Sequence, residues 1–176
     1  MKTVFVGGSR HISRLNSEVK ARLDRLIEQN LSVLVGDANG ADRAVQQYLR
    51  HHDYSKVQVF CMQGHCRNNV GKWPVVEIGA AKKNLRGAEF YSIKDREMTN
   101  LASIGLMLWD GKSFGTLANI VRLIDQRKPV VVYHSKLREF NNLKTLSDLH
   151  AFLRQCGTDA ERTFESIGES GERVLF

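Results

Sequence analysis

Acidic residues are the minority charge in this 176-residue chain: Asp and Glu number 19 against 26 Lys and Arg, for a formal net charge of +7. That shortage favours anionic ligands or nucleic acid without choosing between them. Cysteine is scarce as well. Cys61, Cys66 and Cys156 cannot all pair within one chain, so a fully cross-linked scaffold is excluded and a reduced cytosolic setting is expected. No apolar stretch is long enough to span a bilayer, and no charged-then-apolar leader precedes the first strand-like run. A cytoplasmic protein with no membrane partner is the expectation. Internal repeats and low-complexity segments are missing, as are a Walker signature, an HExxH motif and a GxSxG elbow. What is present, 42% hydrophobic and 26% charged residues, suits one compact domain with a sizeable core.

Hydrophobic period gives the organisation. Val19, Leu23, Leu26 and Ile27 fall on one helical stripe, as do Ala41, Ala44, Val45, Tyr48 and Leu49, and then Leu117, Ile120, Val121 and Ile124. Between them lie short runs, β-branched or apolar on both faces: 3–6, 32–35, 57–62, 104–109 and 130–133. This alternation predicts an α/β, Rossmann-like three-layer sandwich on a mainly parallel five-stranded sheet. Lys128-Pro129 closes the helix before the last strand, because proline disfavours a helical residue ahead of it. The pattern changes at Ser135. Leu146, Leu149, Phe152 and Leu153 make a further amphipathic helix, and Thr158 to Glu161 reads as a capping box before a short one. Residues 1–134 are therefore expected to form the ligand-binding domain and 135–176 a helical appendage.

Three small-residue turns follow three of the strands. Gly7-Gly8-Ser9-Arg10 follows the first, Gly36-Asp37-Ala38-Asn39-Gly40-Ala41-Asp42 the second, and Asp110-Gly111-Lys112-Ser113-Phe114-Gly115-Thr116 the fourth. A strand feeding a helix through such residues makes an anion pocket. First-turn amides lack helical partners, the macrodipole is positive there, and glycine lets a phosphate approach the backbone. Turns at the same end of three strands converge on one crevice, where open parallel sheets bind ligands. The Arg10 guanidinium and Ser9 hydroxyl beside glycine amides suit a phosphate. Asp37, at a strand end, is placed to accept a ribose hydroxyl, while Asp42 or Asn39 is placed to cap the following helix.

Residues 63–92 form a long connection carrying Arg67, Lys72, Lys82, Lys83 and Arg86 against Glu77 and Glu89, with Trp73, Phe90 and Tyr91 interleaved. Such a basic, aromatic loop is expected either as a lid stacking on a base or as a solvated loop pinned by Trp73. Cys61, His65 and Cys66 make a single cluster without the second half of a structural zinc site, and no metal is expected. His51-His52 ends a helix, where a cation complements the dipole.

GGSR after the first strand, GDANGAD after the second, a KDREM helix and WDGKSFGT after the fourth strand resemble the SLOG superfamily, over about Lys2 to Tyr133. That superfamily of Rossmann-like domains includes the LOG-type cytokinin-activating phosphoribohydrolases, the DprA/Smf DNA-processing proteins and the YspA/YpsA-type proteins, and the chain is most similar to the last of these. The resemblance implies a nucleotide or nucleotide-derived ligand, contacted by Gly8, Ser9 and Arg10 in the first turn. It also implies N-glycosidic bond cleavage in some members. The phosphoribohydrolase pattern PGGxGTxxE places a glutamate where this chain has Asn119, and asparagine is neither a general base nor a negative charge for an oxocarbenium-like centre. Alternative carboxylates stand on the KDREM helix, Asp95 and Glu97, beside Lys94.

The expected function is therefore binding or sensing of a nucleotide. Phosphate would rest on Gly7, Gly8, Ser9 and Arg10 and on Gly111 to Thr116, with Asn119 nearby. Ribose would lie near Asp37, flanked by Gly36, Gly40 and Asp42, or near Asp95 and Lys94, and the base under Trp73. A nucleotide N-glycoside hydrolase or transferase using Asp95 or Glu97 is the alternative, and DprA-like nucleic-acid binding a second. No cofactor beyond the nucleotide-type ligand is expected, and a homodimer is the expected assembly.

Overall fold

The computed structural model describes residues 2–79 and 87–169. Among the described residues seven strands form one sheet: β1 (Thr3–Gly8), β2 (Ser32–Gly36), β3 (Val57–Met62), β4 (Val75–Ile78), β5 (Ile104–Trp109), β6 (Val130–His134) and β7 (Glu139–Leu143). Their spatial order is β4-β3-β2-β1-β5-β6-β7, and every neighbouring pair is parallel except β6 with β7. Six helices in the described residues accompany them: α1 (Ser17–Glu28), α2 (Ala41–His51), α3 (Gly87–Leu101), α4 (Phe114–Asp125), α5 (Leu146–Cys156) and α6 (Thr158–Glu169).

The period of two along the strands separates the two faces. Val4 and Val6, Val33 and Val35, Leu106 and Leu108 pack with Val19, Leu23, Val45 and Leu49 of α1 and α2. The intervening Phe5, Leu34, Met107 and Trp109 face the opposite layer, with Met98 of α3, Leu117 and Ile120 of α4, Leu149 and Phe152 of α5 and Phe164 of α6. Both faces of the central strands are thus covered, which is why their sequences read as continuous apolar runs.

The expected five strands become seven. β4 lies within the long basic connection, where Val75-Val76-Glu77-Ile78 is too short and too mixed in polarity to stand out, and it forms the sheet edge beside β3. β7 reads EFNNL, with two asparagines and one buried residue, and is held by pairing antiparallel to β6. The capping box lies on α5, where Thr145 and Asp148 satisfy each other's backbone, while Thr158 is already the first residue of α6. α4 ends as expected before Pro129, its chain turning through Arg127 at φ 57. Among the described residues no helix is long and apolar enough to cross a membrane. Lys82, Lys83 and Arg86 of the proposed lid lie outside the described residues.

Candidate functional site

From β1 the chain proceeds outward through β2, β3 and β4, and from β5 outward the other way, so the order switches between β1 and β5. The turns after these two strands interlock there. The Ser9 amide donates to the Leu108 carbonyl at 2.9 Å, and the Asp110 amide donates to Ser9 Oγ at 3.2 Å. A Cβ on Gly8 would lie 2.4 Å from the Leu108 carbonyl oxygen and 2.9 Å from Ala41 Cβ, so only glycine fits. The turn after β2 is equally tight against the turn after β1: a Cβ on Gly40, whose φ is 82, would lie 2.1 Å from the Arg10 carbonyl oxygen. Three turns predicted to converge do so.

The turn after β5 is shaped by Asp110, whose Oδ1 accepts from the Lys112 and Ser113 amides at 3.0 and 2.8 Å while Oδ2 lies 3.3 Å from His11 Nδ1. Although burial opposes it, these amides hold the Asp110 carboxyl below its usual range. The carboxylate therefore builds the turn. Ser113 follows as the N-cap of α4. Its Oγ lies 3.0 Å from Thr116 Oγ1, which lies 3.5 Å from Ser9 Oγ. Three hydroxyls thus cluster at one helix N-terminus. The Phe114 and Gly115 amides of the first turn have no acceptor among the described residues, and Gly115 is exposed with nothing within 4 Å of its Cβ position. Arg10 and Lys112 are exposed at the rim, and Gly7 is buried below.

Behind this cradle lies a buried ionic network. Asp37, fully buried at the end of β2, accepts from Arg67 three times: from the amide at 3.0 Å, Nε at 3.1 Å and an Nη at 2.7 Å. Lys94 of α3 stands 3.6 Å from Asp37 and donates to Asp95 at 3.0 Å. Burial opposes ionisation of Asp37, but the Arg67 hydrogen bonds and the charge of Lys94 hold its carboxyl low. Burial also opposes the Lys94 charge, yet the fields of Asp95, Asp42 and Asp37 keep its ammonium above the usual value. Asp42 is different. Desolvation dominates there and raises its carboxyl to about 7, with Lys94 pulling the other way.

Asp42 does not cap α2, whose N-cap is Gly40 with no side-chain cap bond. Its Oδ2 instead accepts from the Ala38 amide at 3.1 Å, and Asn39 Oδ1 accepts from Asn68. A Cβ on Gly36 would lie 2.4 Å from Asp42 Oδ2 and 2.9 Å from Lys94 Nζ, so this glycine makes room for the network.

Asp95 and Asn119 are brought together. Asp95 Oδ2 accepts from Asn119 Nδ2 at 3.2 Å, and Asn119 Oδ1 accepts from an Arg122 Nη at 2.5 Å. The Asp95 side chain is 21% exposed, so it is open to solvent rather than sealed in the core. Glu97, two residues further along α3, lies on the opposite side of that helix from Asp95 and has no bonded partner among the described residues.

Trp73 is not brought to the crevice. It stands at the amino end of β4, buried, donating its indole N–H to the Tyr54 carbonyl at 2.8 Å, and Asn69 holds its backbone at both polar groups. The pinned alternative for this loop is the one observed for Trp73.

Arg67, Asn68 and Gln46 are the participants that sequence reasoning did not place. Arg67 was visible only as one cation among many, and its role depends on the connection after β3 folding back across the end of β2. Gln46 fixes that return, donating to the Gly36 and Asn68 carbonyls and accepting from the Val70 amide. The expectation of reduced thiols is also corrected: Cys61 and Cys66 are joined in a disulfide, leaving Cys156 as the free thiol.

No family model matches this sequence, and no curated protein matches it. In three dimensions the chain is similar to DNA processing protein A of Helicobacter pylori, a protein with a single-stranded DNA binding mode, at TM-score 0.53 and 14% identity, covering 96% of this chain and 81% of that one. At that identity the likeness concerns architecture: both chains share a Rossmann-like α/β fold.

Proposed function

We propose that the protein binds a nucleotide or nucleotide-derived ligand, with phosphate at the N-terminus of α4. One observation carries this reading: the Ser9, Ser113 and Thr116 hydroxyls converge where the Phe114 and Gly115 amides lack acceptors. Such amides and hydroxyls, with the dipole behind them, stabilise an anion without needing a full positive charge. Gly115 leaves the approach open, and Arg10 and Lys112 stand exposed at the rim to meet further phosphate oxygens. The similar DNA processing protein A binds single-stranded DNA, itself a chain of phosphorylated nucleosides, which agrees with this ligand class.

A second reading, hydrolysis of the N-glycosidic bond, is favoured by one contact. Asp95 places a carboxylate against Asn119, at the position where phosphoribohydrolases carry a glutamate on the helix itself. On this reading the charge missing from α4 is supplied from α3, where it would stabilise a developing oxocarbenium centre.

Both readings are tested by native mass spectrometry of the chain incubated with nucleoside mono-, di- and triphosphates and ADP-ribose-type dinucleotides. Retained intact nucleotide, lost in Thr116→Val, is expected for binding. Free base accumulating with the wild type but not with Asp95→Asn would instead establish cleavage. A panel without any adduct or product, or retention unaffected by Thr116→Val, would remove the α4 cradle from consideration.

A further inference from the structure

Both oxygens of Asp37 are occupied by Arg67, so a ribose hydroxyl reaches this carboxylate only after Arg67 has left. What holds Arg67 there is a short strap. From Met62 at the end of β3 the chain turns through Gln63 and Gly64, closes with the His65 amide donating to the Met62 carbonyl at 2.8 Å, and is sealed by the Cys61–Cys66 disulfide immediately before Arg67. The strap also touches α3. His65 meets the Phe90 ring at 5.9 Å, and the Arg67 guanidinium lies 4.1 Å over Tyr91. Beyond it, Asn68 is anchored separately by the Asp37 carbonyl and by Gln46.

We propose that Cys61 and Cys66 form a reversible dithiol–disulfide site that reacts with a dithiol reductant and thereby controls whether Arg67 closes over Asp37. The two sulfurs are unequal in access: Cys61 is fully buried, whereas Cys66 is exposed. A reductant thiolate therefore attacks Cys66 Sγ, the Sγ–Sγ bond breaks, and Cys61 leaves with the electron pair. The second thiol of the reductant then attacks the mixed disulfide and releases Cys66. One dithiol becomes a disulfide, and Cys61 and Cys66 each take up one proton. An Asp37 carboxylate oxygen lies within 4.8 Å of both sulfurs, so the disulfide sits directly against the group that Arg67 closes over. Cys156 does not compete, since burial and Glu139 push its thiol up to about 11.

In the oxidised state the strap is closed and Asp37 saturated. In the reduced state the hairpin before Arg67 loses its covalent closure, and Arg67 can exchange Asp37 for ligand phosphate. This consequence rests on the nucleotide reading, whereas the redox response of the strap does not.

The test compares the full chain after oxidation with glutathione disulfide and after reduction with dithiothreitol. Alkylation after unfolding should label Cys156 alone in the first state and all three cysteines in the second. Hydrogen exchange at the Arg67 amide should accelerate at least tenfold on reduction, with β2 and α2 unchanged. Cys66→Ser, which alters an exposed side chain, should show the fast rate without reductant. Three labelled cysteines in the oxidised chain, or equal exchange in the two states, would overturn the proposal. So would one zinc ion retained by the reduced chain with Arg67 still protected, which would make the cluster a metal site. Neither readout involves a nucleotide, so failure of this site and failure of the phosphate cradle are separable.

Discussion

Replacing Asp42 with Asn should make the protein's stability less dependent on pH between 5 and 7.5. In the folded chain the Asp42 carboxyl is raised from 3.8 to about 7, first by burial and then by the Asp95 and Asp37 charges, against the pull of Lys94 and the Ala38 amide. The folded state thus holds a proton that the unfolded chain has released. A raised acid contributes stability that is complete below the unfolded value and lost as pH rises through the folded one. Across a shift from 3.8 to about 7, the full contribution is about 4 kcal/mol, of which roughly half disappears between pH 5 and 7.5. Asn keeps an oxygen for the Ala38 amide and does not titrate. Urea unfolding of both proteins at the two pH values reads the difference, and taking the variant against wild type cancels the opposite trend of Asp37 and Asp110, whose carboxyls are held low. At a slope of ~2 kcal/mol per molar urea, the wild-type midpoint should fall relative to Asp42→Asn by ~1 M as pH rises. Parallel midpoints at both pH values would mean that Asp42 is ionised throughout, and that the buried network carries its negative charge even at pH 5.

Gly8→Ala should destabilise the chain by about 1–3 kcal/mol in the same assay, because its Cβ meets the Leu108 carbonyl. Gly115→Ala, with open space at its Cβ position, should leave the unfolding midpoint unchanged or raised; a fall would show that the α4 first turn is packed. Trp73→Phe should cost about 1 kcal/mol through the lost bond to the Tyr54 carbonyl. It should leave nucleotide retention intact, and weaker retention would return this side chain to the ligand site.

The turns that build the candidate site were legible in the chain where their signals are local. A serine at a helix N-cap and an aspartate folding its own turn act within a few residues, so Ser113 and Asp110 stand in a turn that sequence singles out, whereas the close approach that requires Gly8 comes from Leu108 and Ala41, far along the chain. The central strands were legible for a similar reason, since burial on both faces demands unbroken apolar runs such as Ile104 to Trp109. β4 and β7 were not, because an edge strand needs only backbone partners and its side chains are free to be Glu77, Asn141 or Asn142.

The sequence by itself determined the α/β alternation, the central strands and the small-residue turns at their carboxyl ends, all consequences of short-range period and backbone freedom. Only the tertiary structure decided which charges meet. Arg67 and Asp37 are 30 residues apart, and Asp95 and Asn119 24. Their pairing depends on the β3–β4 connection folding back over β2 and on α3 packing against α4. It also decided that Trp73 belongs to the core, because an aromatic ring is buried wherever the folded chain offers it apolar neighbours and a carbonyl for its N–H, a choice that composition does not encode.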